Sequence, residues 1–97
     1  MTNETTENTV FIGNKPFMNY ATGVAMQFNK GAKEVIVKAR GKFISKCVDV
    51  AEVARRKFLS DKKIIVKNVS IASEEFENKE GKIVNVSVIE IVLEKQD

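Results

Sequence analysis

The sequence predicts a two-layer α+β domain with the element order β-α-β-α-β-β, in which two helices cover a four-stranded mixed sheet that includes a long C-terminal β-hairpin. Three observations support this prediction. Short β-branched runs end at turns rich in glycine or proline, as strands do. Two segments repeat apolar residues at steps of three and four, which indicates helices with one buried face. Two long segments of alternating apolar residues near the C-terminus indicate a hairpin.

The first half of the chain encodes a strand, a helix and a second strand. The apolar run at residues 10–12 ends at the turn-forming residues 13–16. A helical repeat follows, and residues 29–31 supply the signals that end it. The predicted core stripe of this helix consists of Met18, Ala21, Val24, Ala25 and Phe28. The β-branched run at 34–39 then predicts the second strand.

The second helix has the clearest repeat in the chain. It follows the turn at residues 40–42 and ends at residues 60–62. Its predicted buried face consists of Ile44, Cys47, Val48, Ala51, Phe58 and either Ala54 or Arg55. Charged residues occupy the rest of its circumference, which is typical of a helix that packs on a sheet.

The hairpin is predicted from strands at about 64–74 and 83–93, joined by residues 75–82. Both strands change the parity of their apolar positions, as from Val88 to Ile89. Because alternate side chains of a strand point to opposite faces, a strand with one buried face keeps one parity. The change requires either a β-bulge or a strand that is buried on different faces along its length. The second explanation, with another subunit covering part of the hairpin, is the one we favour.

Length and composition predict one globular domain over residues 9–97, preceded by a disordered polar arm at residues 1–8. The chain has 97 residues, of which 43% are hydrophobic and 30% are charged. This balance is typical of a folded soluble domain and not of a disordered chain. The polar N-terminus does not resemble a signal peptide, and no apolar run approaches the ~20 residues that cross a membrane.

The residue types that are missing exclude several kinds of site. The sequence has no histidine, and Cys47 is its single cysteine. One chain therefore cannot form an internal disulfide, a metal cluster of thiolates and imidazoles, or a Ser-His-Asp or Cys-His nucleophile. We expect no catalytic residue, no metal site and no cofactor, and we expect the protein not to be an enzyme.

Positive charge is concentrated in the middle of the chain. The net charge is only +3, but residues 13–57 carry ten cations against three anions, whereas residues 58–97 carry six cations against eight anions. Such an asymmetry is typical of a face that binds a polyanion. The alternative is an ordinary solvated surface.

Two motifs make the sequence recognisable when they occur together. Residues 10–16 read VFIGNKP and are followed by Met-Asn-Tyr at 18–20, and residues 38–46 read KARGKFISK. Together with RRKFL at 55–59 and SVIEI at 87–91, they resemble the Alba family of archaeal chromatin and nucleic-acid-binding proteins. The resemblance extends from about residue 9 to residue 95.

The resemblance implies a fold similar to the C-terminal domain of bacterial initiation factor three and an obligate homodimer. It implies an architectural chromatin protein that lies in the cytoplasm on the nucleoid and binds double-stranded DNA with little sequence preference. RNA is an additional ligand in several branches of the family, and the alternative function is that of an RNA-binding subunit in a ribonucleoprotein or RNA-processing complex. It implies no membrane partner and no small-molecule substrate.

Carried over by position, the resemblance also implies which residues bind. The nucleic-acid contacts are Asn14, Lys15, Arg40, Lys42 and Lys46, and further hairpin contacts are Lys79 and Lys82. Flexible lysines and a bidentate arginine suit phosphate oxygens. Two departures reduce the expected affinity. Many relatives have two adjacent loop lysines where this chain has Asn14 and Lys15. The hairpin tip carries four glutamates, which are Glu74, Glu75, Glu77 and Glu80.

Three further positions leave alternatives open. Tyr20 is either a core residue, which we favour, or a stacking platform for an unpaired base. Cys47 is expected to be a small buried hydrophobe and not a redox residue. Phe58 and Leu59 are either core residues or, as the resemblance implies, a contact between dimers on DNA.

Overall fold

The computed structural model describes residues 8–96 and confirms the predicted α+β fold. Its strands are β1 (Thr9–Phe11), β2 (Glu34–Arg40), β3 (Lys63–Glu77) and β4 (Ile83–Gln96). Its helices are α1 (Phe17–Asn29) and α2 (Ile44–Val53), with a 3-10 turn at Gly41–Phe43 before α2 and a π-helical turn at Ala54–Phe58 after it. The predicted N-terminal arm lies outside the described residues, apart from Asn8.

The sheet has the strand order β1-β2-β4-β3. β1 pairs parallel with β2, whereas β4 is antiparallel to both of its neighbours. Val37 pairs with Val10 on one side and with Ile91 on the other, so the two β-α units and the hairpin meet at the centre of the sheet. The mixed sheet follows from the connections, since a helix links the parallel strands β1 and β2 and a tight turn links the antiparallel strands β3 and β4.

The core lies between the helices and one face of the sheet. Its largest fully buried side chains are Phe28, Leu59, Leu93, Val24, Val35, Val37, Val50 and Cys47. The prediction for Met18 is wrong, because its side chain is 53% exposed. The stripe through Ala21, Val24 and Phe28 continues backward to Phe17, which packs against the core, and Met18 lies one position, or about 100°, away from it.

The parity changes of the hairpin have two different causes. In β3 the pairing register shifts at Lys67, between Val66 and Asn68. The favoured explanation, burial on different faces along the strand, is therefore wrong for β3, because this bulge alone moves the apolar residues to the other parity. The pairing of β4 is regular, and its consecutive residues Val88 and Ile89 are both buried. β4 therefore presents apolar side chains to opposite faces of the sheet.

The strands of the hairpin are longer than predicted. Residues 75–77 belong to β3 and not to the connection, so the turn is confined to residues 78–82. The face of the sheet that the helices leave open carries charged pairs. Lys38 lies 3.2 Å from Glu90, and Lys67 donates a hydrogen bond to Glu34 that raises the pKa of the lysine. Neither helix in residues 8–96 has the length and hydropathy that a membrane-spanning segment requires.

Candidate nucleic-acid interface

Four of the five predicted contact residues lie at one edge of the sheet, either at the end of a strand or in the loop or turn that follows it. Since β1 and β2 run parallel, the loop after β1 and the turn after β2 both start at the carboxyl-terminal edge. Asn14 and Lys15 lie in the first loop, Arg40 is the last residue of β2, and Lys42 lies in the 3-10 turn. All four are exposed. Parallel pairing thus brings two basic segments together that lie some two dozen residues apart in the sequence.

The loop at residues 13–15 is fastened to α1 by a buried tyrosine. The Tyr20 hydroxyl accepts hydrogen bonds from the backbone N–H of Gly13 at 2.9 Å and of Lys15 at 3.0 Å. Tyr20 is only 9% exposed, which confirms the core interpretation and leaves no ring face for a stacked base. A Cβ at residue 13 would lie 3.3 Å from the hydroxyl oxygen, so the close approach at this position favours glycine.

The same loop is fastened to α2 by Lys46. Its ammonium donates hydrogen bonds to the carbonyl oxygens of Gly13 at 2.7 Å and of Lys15 at 2.6 Å. It also lies 5.1 Å from the centre of the Tyr20 ring, within the range of a cation–π contact. Lys46 is half-buried. The lysine predicted to contact phosphate therefore uses two of its three N–H donors inside the protein.

The remaining cations have different surroundings. Arg40 lies 3.6 Å from the Glu74 carboxylate of the hairpin, and both side chains are largely exposed. The Lys42 ammonium lies 5.4 Å from the Phe43 ring and makes no ion pair with another described residue. Lys15 likewise has no anionic partner among residues 8–96. One of the three exposed cations at this edge is thus held by a carboxylate, and two are open to solvent anions.

Lys79 and Lys82 lie in the hairpin turn, away from this edge. The turn begins four residues beyond Glu74, which corresponds to about 13 Å along an extended strand. The Asn78 side chain accepts hydrogen bonds from the N–H groups of Glu80 and Lys82, which shapes the turn locally. The two hairpin lysines therefore do not share a surface with the loop cations in one chain.

Phe58 and Leu59 have different environments. Leu59 is fully buried in the core, so of its two alternative roles the structure supports the core role and not the intermolecular contact. Phe58 is 36% exposed at the end of the π-helical turn. The contact prediction therefore rests on Phe58 alone.

An apolar groove of about 200 Å³ lies between α2 and the base of the hairpin. Val48, predicted to be core, is 40% exposed there, and Val66 and Val69 of β3 are 37% and 51% exposed. Ile71, the next residue of β3 on this face, is 79% exposed. At the rim, a hydrogen bond from Arg55 lowers the pKa of Glu52. Ile71 does not line the groove but continues its exposed apolar surface along β3, and we use the name apolar groove for the whole surface formed by Val48, Val66, Val69 and Ile71.

Two features of this edge have no clear signal in the sequence. An isolated tyrosine in a helical repeat predicts burial. Nothing in the spacing indicates that the Tyr20 hydroxyl accepts hydrogen bonds from the backbone of Lys15 and Gly13, five and seven residues earlier. The contact between Arg40 and Glu74 depends on the register of β3 against β4, which the bulge at Lys67 shifts by one residue. Cys47, by contrast, is buried as predicted, and its burial raises the pKa of the thiol to about 11.

Comparison with known proteins matches this arrangement to one family. A family model described as Alba matches residues 8–73. The DNA/RNA-binding protein Alba 1 of Archaeoglobus fulgidus is 52% identical over 90 residues, which cover 93% of this chain and 98% of that protein. A DNA/RNA-binding protein Alba of Methanothrix thermoacetophila is 53% identical over 92% of this chain and 97% of its own. The structure of Alba from Thermoplasma volcanium superposes with a TM-score of 0.82 and 46% identity, covering 90% of this chain and 99% of that one.

Proposed function

The chain belongs to the Alba family, and from this premise we propose that it is a homodimeric DNA- and RNA-binding protein that holds nucleic-acid backbones through the loop edge of its sheet. The cationic contact residues on this edge are Lys15, Arg40 and Lys42. Asn14, which precedes Lys15 in the loop, is a further contact residue. The ligand in the cell is double-stranded DNA, which the protein binds with little sequence preference as an architectural component of the nucleoid.

The observation that carries this proposal is the convergence of exposed cations on two loops at one sheet edge. Lys15, Arg40 and Lys42 come from separate segments and lie on a single side of the molecule. Phosphate oxygens are recognised by such groups without regard to base identity. No pocket lined with base-reading side chains is needed for this mode of binding, and shape sets the register of the protein on the duplex.

The apolar groove supports the homodimer. Val66, Val69 and Ile71 form an exposed apolar row on the side of β3 that faces the helical layer, and Val48 extends it onto α2. A second copy that placed the same row against this one would bury both rows in a two-fold interface. The dimer would carry two loop edges, and Phe58 of each subunit would remain available for contact between dimers on DNA.

The proposal is tested by titrating two duplexes of unrelated sequence at increasing salt. Neutralising six to eight phosphates per dimer predicts a slope of log K against log salt of roughly −5 to −7, with equal affinity for both duplexes within a few-fold. The double variant Arg40→Gln/Lys42→Gln removes four cations per dimer, so the slope becomes about 3.6 less steep. The matched control Lys30→Gln/Lys33→Gln removes the same charge at the opposite end of β2 and leaves the slope near that of the wild type. Binding that ignores salt, or equal effects of both double variants, would contradict the proposal.

An RNA-binding subunit of a ribonucleoprotein is the second candidate function. The observation that favours it is the acidic hairpin, because Glu74, Glu75 and Glu77 extend along the arm that would follow the minor groove of a duplex. A competition between a DNA duplex and a structured RNA of equal length at matched salt separates the two. Preference for the RNA by tenfold or more would favour the second candidate.

A further inference from the structure

The backbone of residues 13–15 is held by side chains on both of its polar sides. Tyr20 accepts from the N–H groups of Gly13 and Lys15, and Lys46 donates to the carbonyl oxygens of the same two residues. All four hydrogen bonds are between 2.6 and 3.0 Å, which is the range of well-formed bonds. We call Tyr20 and Lys46 the brace.

The residue between the two held positions has no such partner. Asn14 is exposed, and neither its backbone nor its side chain forms a hydrogen bond with any other residue in the range 8–96. The brace therefore fixes the peptide units around Asn14, and it leaves the Asn14 N–H and the Lys15 ammonium, both of exposed residues, without a partner among residues 8–96. A backbone N–H that is already fixed binds an anion without the entropic cost of ordering a loop.

Lys46 has little capacity left for a ligand. Two of its three N–H donors are taken by carbonyl oxygens, and its ammonium lies 5.1 Å from the ring centre of Tyr20 and 5.9 Å from that of Phe43. Tyr20 is buried, and its hydroxyl already accepts two hydrogen bonds. These two side chains thus have the geometry of supports and not of contact residues.

We propose that Tyr20 and Lys46 are positioning residues, which hold the loop at 13–15 in the shape that binds a backbone phosphate through the Asn14 N–H and the Lys15 ammonium. This inference rests on the proposed function for its ligand, and it revises the role that the sequence predicted for Lys46. The loop edge then has three contact cations per subunit, which are Lys15, Arg40 and Lys42.

The first measurement needs no ligand. In the free protein, Tyr20→Phe removes the acceptor of two N–H groups and keeps the ring. Loss of a hydrogen bond worth about 1 kcal/mol accelerates amide exchange at Gly13 and Lys15 by about fivefold. The N–H of Ile12 is the internal control, because it donates to the Lys38 carbonyl at 2.9 Å within the sheet and keeps its exchange rate. Unchanged exchange at Gly13 and Lys15 would overturn the brace.

The second measurement is a double-mutant cycle with a 20-base-pair duplex as the probe. Tyr20→Phe lowers the affinity of the wild type by about fivefold, but lowers that of Lys15→Gln by less than twofold, because both changes act on one phosphate contact. Lys46→Met is likewise non-additive with Tyr20→Phe. Additive losses would show that Lys46 binds phosphate itself or that Tyr20 acts through general stability, and either result overturns the positioning role.

The two measurements separate this inference from the proposed function. If the wild type bound no nucleic acid, the proposed function would fail while the exchange rates still decided whether the brace exists. If exchange accelerated at Gly13 and Lys15 but duplex affinity did not change, the brace would exist and its positioning role would be wrong. If Tyr20→Phe did not fold, Lys46→Met would replace it in the exchange measurement and in the cycle with Lys15→Gln.

Discussion

The loop at 13–15 and the hairpin turn at 78–82 are both short and polar, but they are held in opposite ways. The loop depends on Tyr20 and Lys46, and Lys46 lies 31 and 33 residues away from the two loop residues that it binds. The turn is closed from within, by the Asn78 side chain and by the bond from the Asn78 N–H to the Lys82 carbonyl at 2.8 Å. The loop at 13–15 is therefore fixed by the folded domain, whereas the hairpin turn needs only its own residues.

This contrast explains where a rigid and a movable binding element belong. The braced loop lies over the core and cannot change shape without disturbing two helices. Every residue of β3 beyond residue 72 is exposed, and the exposed apolar residues of the hairpin include Phe76 and Ile83. A loop that binds backbone phosphates gains affinity when it is rigid before binding, whereas an arm that follows a groove has to adapt its conformation to the duplex.

The largest expected effect tests whether the base of the hairpin belongs to an interface. Val69→Asp places a carboxylate in the apolar groove, where a second copy would bury it without a counter-charge. We expect the dimer dissociation constant to rise by ~1,000-fold, since an unpaired buried charge costs several kcal/mol. Sedimentation velocity across a dilution series measures this. Ser70→Asp is the matched control, because its side chain points to the other face of the same strand, and equal effects of the two changes would contradict the interface.

A second large effect is expected in the reactivity of Cys47, which lies on α2 next to the brace residue Lys46. Burial raises the pKa of Cys47 to about 11. At pH 8 the native thiol should react with iodoacetamide roughly 100-fold more slowly than the same thiol in the unfolded chain, whose pKa is about 8.5. The native pKa is the higher one, so this group stabilises the fold fully below about pH 8.5 and loses its contribution as the pH rises toward 11. Native and urea-unfolded rates measured from pH 7 to 10 test this, and a native rate that levelled off near pH 8.5 would contradict it.

A moderate effect tests the independence of the hairpin turn. Gly81 has φ +81°, a conformation that costs an alanine about 1–2 kcal/mol. Gly81→Ala should therefore accelerate amide exchange in residues 74–86 and leave Gly13 and Lys15 unchanged. Glu80→Ala is the control in the same turn, because residue 80 does not have a positive φ. Accelerated exchange at the braced loop would show that the two connections are coupled.

The smallest expected effect tests the ion pair between Arg40 at the loop edge and Glu74 of the hairpin. Glu74 holds Arg40 at 3.6 Å, so Glu74→Gln should release the guanidinium and raise duplex affinity about twofold per subunit, the range of an exposed ion pair. Glu75→Gln removes the same charge on the opposite face of the strand and controls for long-range attraction. In an Arg40→Gln background the difference between the two variants should vanish. Equal gains from both variants in the wild type would show that only net charge matters.

The sequence predicts the sheet, the helices and the exposed cations, because each depends on local periodicity or on a recognisable motif. Met18 is predicted to be buried but is exposed, because the apolar stripe of α1 runs through the adjacent residue Phe17. Only packing against the sheet decides which of these two adjacent apolar residues is buried. The sequence leaves Phe58 and Leu59 between a core role and a contact role, because only the end of the π-helical turn decides that Leu59 is buried while Phe58 stays at the surface. The brace could not be predicted, because Tyr20 and Lys46 acquire their roles from backbone groups that carry no side-chain signal.

The long sequence separation of Lys46 from the loop has a consequence for the order of events during synthesis. A nascent chain that ends near residue 40 already contains Lys15 and Arg40, but it lacks the ammonium that fixes the loop carbonyls. Contacts between distant segments form only after the closure entropy of the intervening chain has been overcome. The loop thus acquires the conformation that binds phosphate only once α2 has been synthesised and has packed on the sheet. An unfinished chain therefore carries the cations that attract nucleic acid but not the loop conformation that binds it.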